Sequence, residues 1–517
     1  MQNVAGEGTR IRPWVAALIV FLSSGAIMVL ELVAGRLMAP VVGVSLYTWT
    51  SIIGVVLAGI SLGNFTGGLL ADRYASRNTL ALLFALSAAG SASIVWTLDT
   101  TRLITRLDLP IMLEVLLVFA TVFLLPALLL GTISPVVVKL TLSDLDRTGN
   151  VVGRIYAAGA AGSIAGTFLA GFWLISQFGT RAIVWGVAGL LLLMALLVSQ
   201  GGRRGLALCA LGLIAFGGLS YLAWWRNALD STCLVETDYF CIRVHPDEDN
   251  PQIQVLTLDR LVHSYVNLDD PKDLRYGYER TYRDVMQAVV APDAVVSAFF
   301  IGGGGYTFPR YVEAAYPNSS IVVAEIDPGV TRTAYERLAL PLDTRIVTFN
   351  QDARRYLLRL PQARRFDLIV GDAFNDFSVP YHLTTLEFNQ LVTDRLSDDG
   401  VYMVNIIDGR RGHFVRAYVS TLARVFSHIY ISPAGGQIGD ADRQTFVIVA
   451  AQRALPVGDD AAPSVTGSLP MPPSLTESFL SQAEWEEYLG QGPAIILRDD
   501  FVPVDNLLAP VFADSGL

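Results

Sequence analysis

Seven apolar segments in the first 226 residues most constrain how this chain can fold. A helix needs about 20 predominantly apolar residues to cross the hydrocarbon core of a bilayer. Segments of this kind lie at approximately 14–36, 46–70, 79–97, 111–138, 153–178, 181–199 and 205–225. They are rich in glycine and alanine, which let helices pack closely where lipid gives no hydrophobic drive. The pattern predicts a domain of about seven transmembrane helices over residues 1–226, with a lipid bilayer as its partner.

The charge of the chain divides at the end of these segments. Residues 1–226 carry 14 Lys and Arg against 8 Asp and Glu, whereas residues 227–517 carry 23 against 39. A basic, apolar half followed by an acidic half predicts a membrane domain joined to a soluble one. An acidic surface attracts multiply charged cations such as polyamines, although acidity also serves solubility alone. No basic stretch is typical of a nucleic-acid partner, so we expect none.

The basic residues between the apolar segments predict an orientation, because Lys and Arg are enriched in cytoplasmic loops. Nine lie on one side of the seven spans: Arg10, Arg12, Arg73, Arg77, Lys139, Arg147, Arg154, Arg203 and Arg204. Five lie on the other side: Arg36, Arg102, Arg106, Arg181 and Arg226. The excess predicts a multi-pass protein of the inner membrane with a cytoplasmic N-terminus. Seven spans then place the C-terminal domain outside the cytoplasm.

Two of the three cysteines follow the last apolar segment closely. Cys233 and Cys241 lie eight residues apart, while Cys209 lies inside an apolar run. The pair could close a small disulfide loop in an oxidising compartment, or remain two buried thiols in a cytosolic domain. The chain has no CxxC motif and no Cys/His cluster, so we expect no metal site.

The second half of the chain changes from apolar helices to shorter elements. Residues 227–278 alternate apolar and polar positions, which predicts a small antiparallel β lid. Residues 279–454 alternate strand and helix patterns, beginning with a helix near 279–290, and predict an α/β domain with a parallel sheet. Residues 455–517 begin as a Pro/Ser/Gly-rich connector and end in a tail that we expect to pack onto that domain.

Four strand ends between Ile301 and Asp372 carry glycines and acids. The glycines Gly302, Gly303 and Gly304 follow an apolar strand, and Glu325 ends the next. Asp352 and Asp372 end the two strands after those. Open α/β sheets bind ligands beyond the carboxyl ends of their strands, where a glycine turn admits a nucleotide and a carboxylate can accept ribose hydroxyls. The pattern predicts one nucleoside site built at four strand ends.

The order of these motifs resembles the spermidine synthase family of polyamine aminopropyltransferases, over roughly residues 233–450. The segment Glu325–Pro328, which reads EIDP, is its most specific piece, and the wider chain is similar to the membrane-fused branch of that family. The resemblance implies a multi-span α-helical membrane domain, a small antiparallel β lid and a Rossmann-like domain of the S-adenosylmethionine-dependent methyltransferase type. It implies decarboxylated S-adenosylmethionine as co-substrate, a polyamine such as putrescine as acceptor, and a homodimer as a possible assembly.

The resemblance also implies roles for individual residues. Asp372 takes the place of the general base. Residues at the cofactor site are Gly302, Gly303, Gly304, Glu325, Asp327, Asp352 and Ala353. Residues at the substrate site are Tyr278, Glu279, Asp376, Tyr381 and His263. The chain departs from the family in having Gly305 and Tyr306 after the first three glycines, and in having Asn375 or Asp376 at the second acidic position of the catalytic loop.

Each of these residues also has a structural interpretation. Asp352 and Asp372 could cap a helix or a turn, and Glu279 could stabilise a helix N-terminus. His263 could be packing on a strand face, and Glu325 a surface charge. Two other functions therefore stay open: a methyltransferase that uses S-adenosylmethionine, because it shares the adenosine pocket, and a non-catalytic polyamine-binding or transport-linked membrane protein, because catalysis does not need seven spans.

Overall fold

The chain divides into two compact units in the computed structural model, Met1–Cys241 and Ile242–Gly516. The structure describes residues 11–107, 109–142, 148–199, 203–227, 230–373, 379–434, 443–455, 479–492 and 495–514. The boundary between the units falls within the segment predicted as the β lid. Asp376 lies outside the described residues, as does most of the predicted connector.

The first unit is helical, and its helices follow the predicted apolar segments. Among the described residues, six stretches are long and apolar enough to cross a membrane: Pro13–Val42, Leu46–Tyr74, Arg77–Thr101, Met112–Thr141, Thr148–Gln177 and Thr180–Val198. The helices themselves are α1 Pro13–Val42, α2 Leu46–Tyr74, α3 Arg77–Ile104, α4 Ile111–Gly131, α5 Ile133–Thr141, α6 Thr148–Leu169, α7 Ile175–Gln177, α8 Thr180–Val198 and α9 Arg203–Trp225. A π-helical turn, Ala170–Leu174, joins α6 to α7. The seventh predicted span corresponds to α9, whose shorter apolar part is Gly212–Trp225, and its crossing of a membrane stays a prediction.

Small residues let the long helices of this unit touch backbone to backbone. A Cβ atom added at Gly162 of α6 would lie 2.0 Å from the carbonyl oxygen of Phe21 on α1. A Cβ atom at Gly63 of α2 would lie 2.2 Å from the carbonyl oxygen of Leu128 on α4. No larger residue fits at either crossing, which is the packing expected of helices in a bilayer.

The end of the first unit contains a disulfide, which is one of the two alternatives that the sequence leaves open for its cysteine pair. Cys233 and Cys241 are bonded, with their Cα atoms 5.3 Å apart. Arg36, at the C-terminal part of α1, donates hydrogen bonds to the carbonyl oxygens of Thr237 (2.8 Å) and Tyr239, inside the loop that the disulfide closes. The loop is therefore fixed both covalently and to the helical bundle.

Two sheets follow. The smaller has the order β1-β2-β3-β4, with β1 Val235–Glu236, β2 Cys241–Pro246, β3 Ile253–Leu258 and β4 Leu261–Asn267. The strands β2, β3 and β4 pair antiparallel, as the sequence predicts for residues 227–278.

The larger sheet has seven strands in the order β10-β11-β9-β8-β5-β6-β7. Its strands are β5 Ser297–Ile301, β6 Ser320–Ala324, β7 Val347–Phe349, β8 Phe366–Gly371, β9 Leu396–Asp408, β10 His428–Ala434 and β11 Gln444–Ala451. The five neighbouring strands β9, β8, β5, β6 and β7 pair in parallel. At the other edge, β11 pairs antiparallel with both β9 and β10. The expected α/β class with a doubly wound sheet is therefore confirmed.

Helices connect the strands and cover the sheet. They are α10 Gly277–Val289, α11 Thr307–Ala315, α12 Pro328–Arg337, α13 Ala353–Arg359, α14 Leu386–Arg395 and α15 His413–Leu422, followed by Gln482–Gly490 and Val504–Asp514. The central strands form the core, because residues such as Phe299 and Ile369 are completely buried. The tail packs on this domain through Leu497, which is buried. Its carbonyl oxygen accepts the backbone N–H of Leu386, and its own N–H donates to the Thr421 hydroxyl.

Candidate active site

The topology of the large sheet places the predicted motifs together. Starting from β5, the chain adds β6 and then β7 towards one edge of the sheet. It then crosses back and places β8 on the other side of β5. This reversal is a switch point, at which the loops after β5 and β8 separate and leave a crevice. The loops stay linked at its base, since the backbone N–H of Asp372 donates to the carbonyl oxygen of Ile301 at 2.9 Å. The glycine turn and Asp372 are therefore neighbours across the crevice.

The glycine turn after β5 has a conformation that requires glycine. Gly302 has φ of +92°, and a Cβ atom there would lie 2.4 Å from the carbonyl oxygen of Asp372. Gly305, at the position where the sequence departs from the family pattern, donates its backbone N–H to the Ser264 hydroxyl of β4 at 2.9 Å. A Cβ atom at Gly305 would lie 2.6 Å from Ser264, so the β lid occupies the space that a side chain would need.

Glu325 holds the glycine turn in place. Its Oε2 accepts the backbone N–H of Gly303 (2.8 Å) and of Gly304 (3.3 Å), and its Oε1 accepts that of Asp327 (2.9 Å). The side chain is buried, and burial raises the pKa of Glu325 while these hydrogen bonds counteract the rise. Glu325 is therefore not a surface charge. Asp327 is also buried and caps α12 by accepting the N–H of Gly329 at 2.7 Å.

Asp352 caps a helix and also contacts a histidine, and its side chain is partly buried. Its Oδ1 accepts the backbone N–H of Arg355 at 2.8 Å, at the start of α13, and its Oδ2 lies 2.7 Å from Nε2 of His382. Burial alone would raise the pKa of Asp352, but the hydrogen bonds from His382 and Arg355 outweigh it and lower the pKa. Ala353, the next residue, is buried as the first residue of α13. The structural interpretation of Asp352 as a cap is thus correct, and its second oxygen faces a histidine.

Asp372 is held by two side chains from distant elements. The hydroxyl of Tyr278, on α10, donates to Oδ2 at 3.0 Å, and the amide of Asn405, on β9, donates to Oδ1 at 2.9 Å. Burial raises the pKa of Asp372, and the two hydrogen bonds partly counteract the rise. A half-buried carboxylate with a raised pKa and a fixed orientation is suited to accept a proton.

Glu279 adds a buried carboxyl beside Asp372. It is 3% exposed, and its Oε2 makes no hydrogen bond with any described residue. Burial, and after it the charge of Asp372, raise the pKa of Glu279 to about 8, while the nearby Thr307 hydroxyl lowers it in part. A pKa of about 8 favours the protonated form of Glu279 at neutral pH.

The pKa of Glu279 predicts a pH-dependent stability. In the unfolded chain its carboxyl titrates near the ordinary value of about 4.3. Between that pH and about pH 8 the folded protein keeps a proton that the unfolded chain has released, so this group makes stability fall as pH rises. We expect Glu279→Gln to raise the melting temperature relative to wild type more at about pH 8.5 than at about pH 5.5. Scanning fluorimetry at both values measures this, and an equal difference at the two pH values would contradict it.

The remaining predicted substrate residues differ in their surroundings. His263, on β4, is half-buried, and burial together with the charge of Arg443 lowers its pKa to about 4, which favours the neutral ring. Tyr381 is 58% exposed, in the 3₁₀ turn Tyr381–Leu383. His382 follows it and contacts Asp352, as described above. The structure therefore brings Tyr278 and Glu279 to Asp372, whereas it shows no contact of Tyr381 with that carboxylate.

The relatives found by comparison with known proteins include polyamine aminopropyltransferases and a methyltransferase. The probable polyamine aminopropyl transferase of Bifidobacterium longum is 30% identical over 149 residues, which is 28% of this chain and 32% of the relative. The polyamine aminopropyltransferase of Vibrio vulnificus is 33% identical over 141 residues, 26% of this chain and 46% of the relative. The N-terminal histidine N-methyltransferase of Emericella nidulans is 29% identical over 171 residues, 32% of this chain and 30% of the relative. No family model matches the chain.

This chain resembles the polyamine aminopropyltransferases. It spans about a third to a half of the length of the first two relatives. These relatives confirm the resemblance to polyamine aminopropyltransferases that the motifs imply, over the part of the chain that they match.

Sequence reasoning from the aminopropyltransferase motifs misses Asn405. Asn405 is the single amide in the buried apolar run Val401–Ile407 of β9, and it lies 33 residues from its partner Asp372. A polar residue in such a run needs a hydrogen-bond partner, which is a usable signal. Without the strand order, however, it does not identify which partner.

Proposed function

We propose that the protein is a membrane-bound polyamine aminopropyltransferase. It transfers an aminopropyl group from decarboxylated S-adenosylmethionine to a primary amine such as putrescine and releases methylthioadenosine. The observation that carries the proposal is the half-buried Asp372 at the switch point, oriented by Tyr278 and Asn405 and adjoining the glycine turn. The similarity to polyamine aminopropyltransferases supports the same class.

The reaction needs one proton acceptor and a means of orienting two substrates. The nitrogen of the acceptor amine attacks the methylene next to the sulfonium, a C–N bond forms, and the C–S bond breaks with its electron pair leaving on a neutral thioether. The attacking amine loses a proton, which Asp372 accepts. The hydrogen bonds from Tyr278 and Asn405 direct the carboxylate, and such positioning contributes to the rate beyond the proton transfer itself.

The nucleoside of the donor would occupy the crevice beside the glycine turn. The turn leaves its backbone accessible to a ligand, and Glu325, at the end of β6, is the expected partner of the ribose hydroxyls. Asp352 is the expected partner of the adenine amino group. Because Asp352 Oδ2 already accepts from His382 at 2.7 Å, we expect the adenine to share or displace that contact.

Titration and product analysis of the full-length protein in detergent test this function. Isothermal titration compares decarboxylated S-adenosylmethionine, S-adenosylmethionine and methylthioadenosine. Mass spectrometry follows the formation of spermidine and methylthioadenosine from putrescine and the decarboxylated donor. We expect the decarboxylated donor to bind more tightly than S-adenosylmethionine and to be consumed only when an amine is present. Absence of turnover and of nucleoside binding would contradict the proposal.

A methyltransferase is the second candidate. It is favoured by the similarity to the histidine N-methyltransferase and by Gly305, which removes an acid from the turn and so reduces repulsion of a donor carboxylate. Preferential binding of S-adenosylmethionine, with S-adenosylhomocysteine as the product, would establish it in place of aminopropyl transfer.

The proposed membrane topology makes a separate prediction. Nine basic residues against five favour a cytoplasmic N-terminus. If α9 also crosses the membrane, the C-terminal unit is external, on the side where a Cys233–Cys241 bridge persists. We expect reporter fusions after Leu517 to report an external C-terminus, and non-reducing mass spectrometry to detect the bridge. A cytoplasmic reporter signal with two free thiols would contradict both and would place the site beside its cytoplasmic donor.

A further inference from the structure

The helical unit contains a large polar cavity that aminopropyl transfer does not use. It has a volume of about 670 Å³ and lies between α1, α2, α5 and α6. Its polar lining includes the side chains of Ser23, Ser24, Asn64, Ser134, Asp72 and Lys139. We call this cavity the polar vestibule. It is formed by the N-terminal part of α1 and α6 and by the C-terminal part of α2 and α5, which are the helix ends on the more basic side of the bundle.

Asn64 indicates that the polar vestibule holds water or a ligand. It lies within α2 and lines the cavity, and its side chain is exposed at the surface of the helical unit. Asp72, at the end of α2, is eight residues further on, so Asn64 is about 12 Å from that end of the helix. If α2 crosses a bilayer, an amide left without a partner in hydrocarbon would be costly. A hydrated cavity supplies the partner.

The charges of the polar vestibule restrict what it can bind. Lys139 and Asp72 are its only charged lining residues within the described chain, and they form an ion pair of 2.9 Å. Their side chains are 50% and 72% exposed, respectively, and an exposed pair of this kind contributes little to stability. A ligand with one ammonium and one carboxylate can therefore replace each partner at small cost. A polyamine or a dicarboxylate would leave charge uncompensated.

We propose that the polar vestibule is a binding site for a small zwitterionic solute, with its ammonium on Asp72, its carboxylate on Lys139 and its remaining polar groups on Asn64 and the serine hydroxyls. The site is distinct from the crevice at Asp372 and does not depend on the reaction proposed there.

Cysteine labelling tests the hydration of the polar vestibule. The full-length protein with Cys209→Ser is placed in lipid nanodiscs and carries either Asn64→Cys or Phe65→Cys. Phe65 is 68% exposed, does not line the cavity, and is the matched position on a face that we expect to meet lipid. We expect a cationic methanethiosulfonate reagent to label Asn64→Cys at least about tenfold faster, because the reagent needs water. Equal rates would overturn the proposal. Ser134→Cys gives the same readout if Asn64→Cys does not fold.

Two glycines of α2 provide a blocking variant and its control. A Cβ atom at Gly68, which lines the polar vestibule, meets nothing within 4 Å, and the same holds at Gly54, which does not line it. Both positions therefore have room for a Cβ atom, and only Gly68 lines the cavity, so we expect a leucine side chain to enter the cavity in Gly68→Leu alone. We expect Gly68→Leu to slow the labelling of Asn64→Cys about tenfold, and Gly54→Leu to leave it unchanged. Equal effects of the two variants would overturn the assignment of the cavity.

Protection against labelling tests the class of ligand. The probes are L-methionine and L-serine as zwitterions, putrescine as a dication and succinate as a dianion. We expect at least one of the two amino acids to slow the labelling of Asn64→Cys, with the protection lost in Asp72→Asn and in Lys139→Gln. Protection by putrescine or succinate alone would overturn the zwitterion assignment. Protection by none of the four probes would overturn the binding site.

Discussion

Replacing Asp372 with asparagine is expected to lower the turnover number by about 10²- to 10⁴-fold, the usual cost of losing a positioned general base. Asparagine keeps the size of the side chain and can still accept a hydrogen bond from either Tyr278 or Asn405 through its one oxygen, but it cannot take the proton of the amine. Steady-state kinetics of the purified full-length enzyme measure the loss. Binding of methylthioadenosine should be largely retained, because the proposed nucleoside contacts, Glu325 and Asp352, follow other strands of the sheet.

Asp367→Asn is the matched control for this variant. Asp367 lies on the same strand, β8, but at the opposite end, where its carboxylate accepts the N–H of Ser297 at 2.9 Å and the hydroxyl of Ser397 at 2.9 Å. It should keep wild-type turnover. Wild-type turnover in Asp372→Asn would remove Asp372 from the reaction, and equal losses in both variants would show a general effect on folding.

Replacing Glu325 with glutamine is expected to weaken nucleoside binding by about 10- to 100-fold, since a charge-assisted hydrogen bond is worth about 1.5–3 kcal/mol. The effect has two sources. An amide is a poorer acceptor for the ribose hydroxyls. Because a nitrogen replaces one of the two carboxylate oxygens, the side chain can accept the N–H of Gly303 or that of Asp327, but not both. The glycine turn therefore loses part of its support together with the ligand contact. Isothermal titration with methylthioadenosine measures the dissociation constant.

Glu336→Gln serves as the control, because Glu336 is an exposed carboxylate on the neighbouring helix α12. It should leave the dissociation constant unchanged. Melting temperatures of both variants separate loss of the ligand contact from loss of the turn. An unchanged dissociation constant in Glu325→Gln would place Glu325 outside the nucleoside site.

The sequence alone predicted the elements of the site because their signals are local. An apolar run followed by Gly302–Gly304 marks a strand end and a turn, and Glu325, Asp352 and Asp372 follow apolar strands in the same way. The parallel arrangement brings such strand ends to one edge of a sheet. The long apolar segments likewise determined the helical unit, since their length and hydropathy are properties of consecutive residues.

The tertiary structure alone decided which side chains act together. Tyr278 and Asn405 reach Asp372 across 94 and 33 residues of sequence, and no local pattern encodes those distances. The same holds for Gly305, whose missing side chain leaves room for Ser264 of the β lid, and for His382, which faces Asp352. Strand ends can be read from the chain because hydrophobic periodicity is local, whereas hydrogen-bond partners and pKa shifts depend on burial and on strand order, which only the folded sheet fixes.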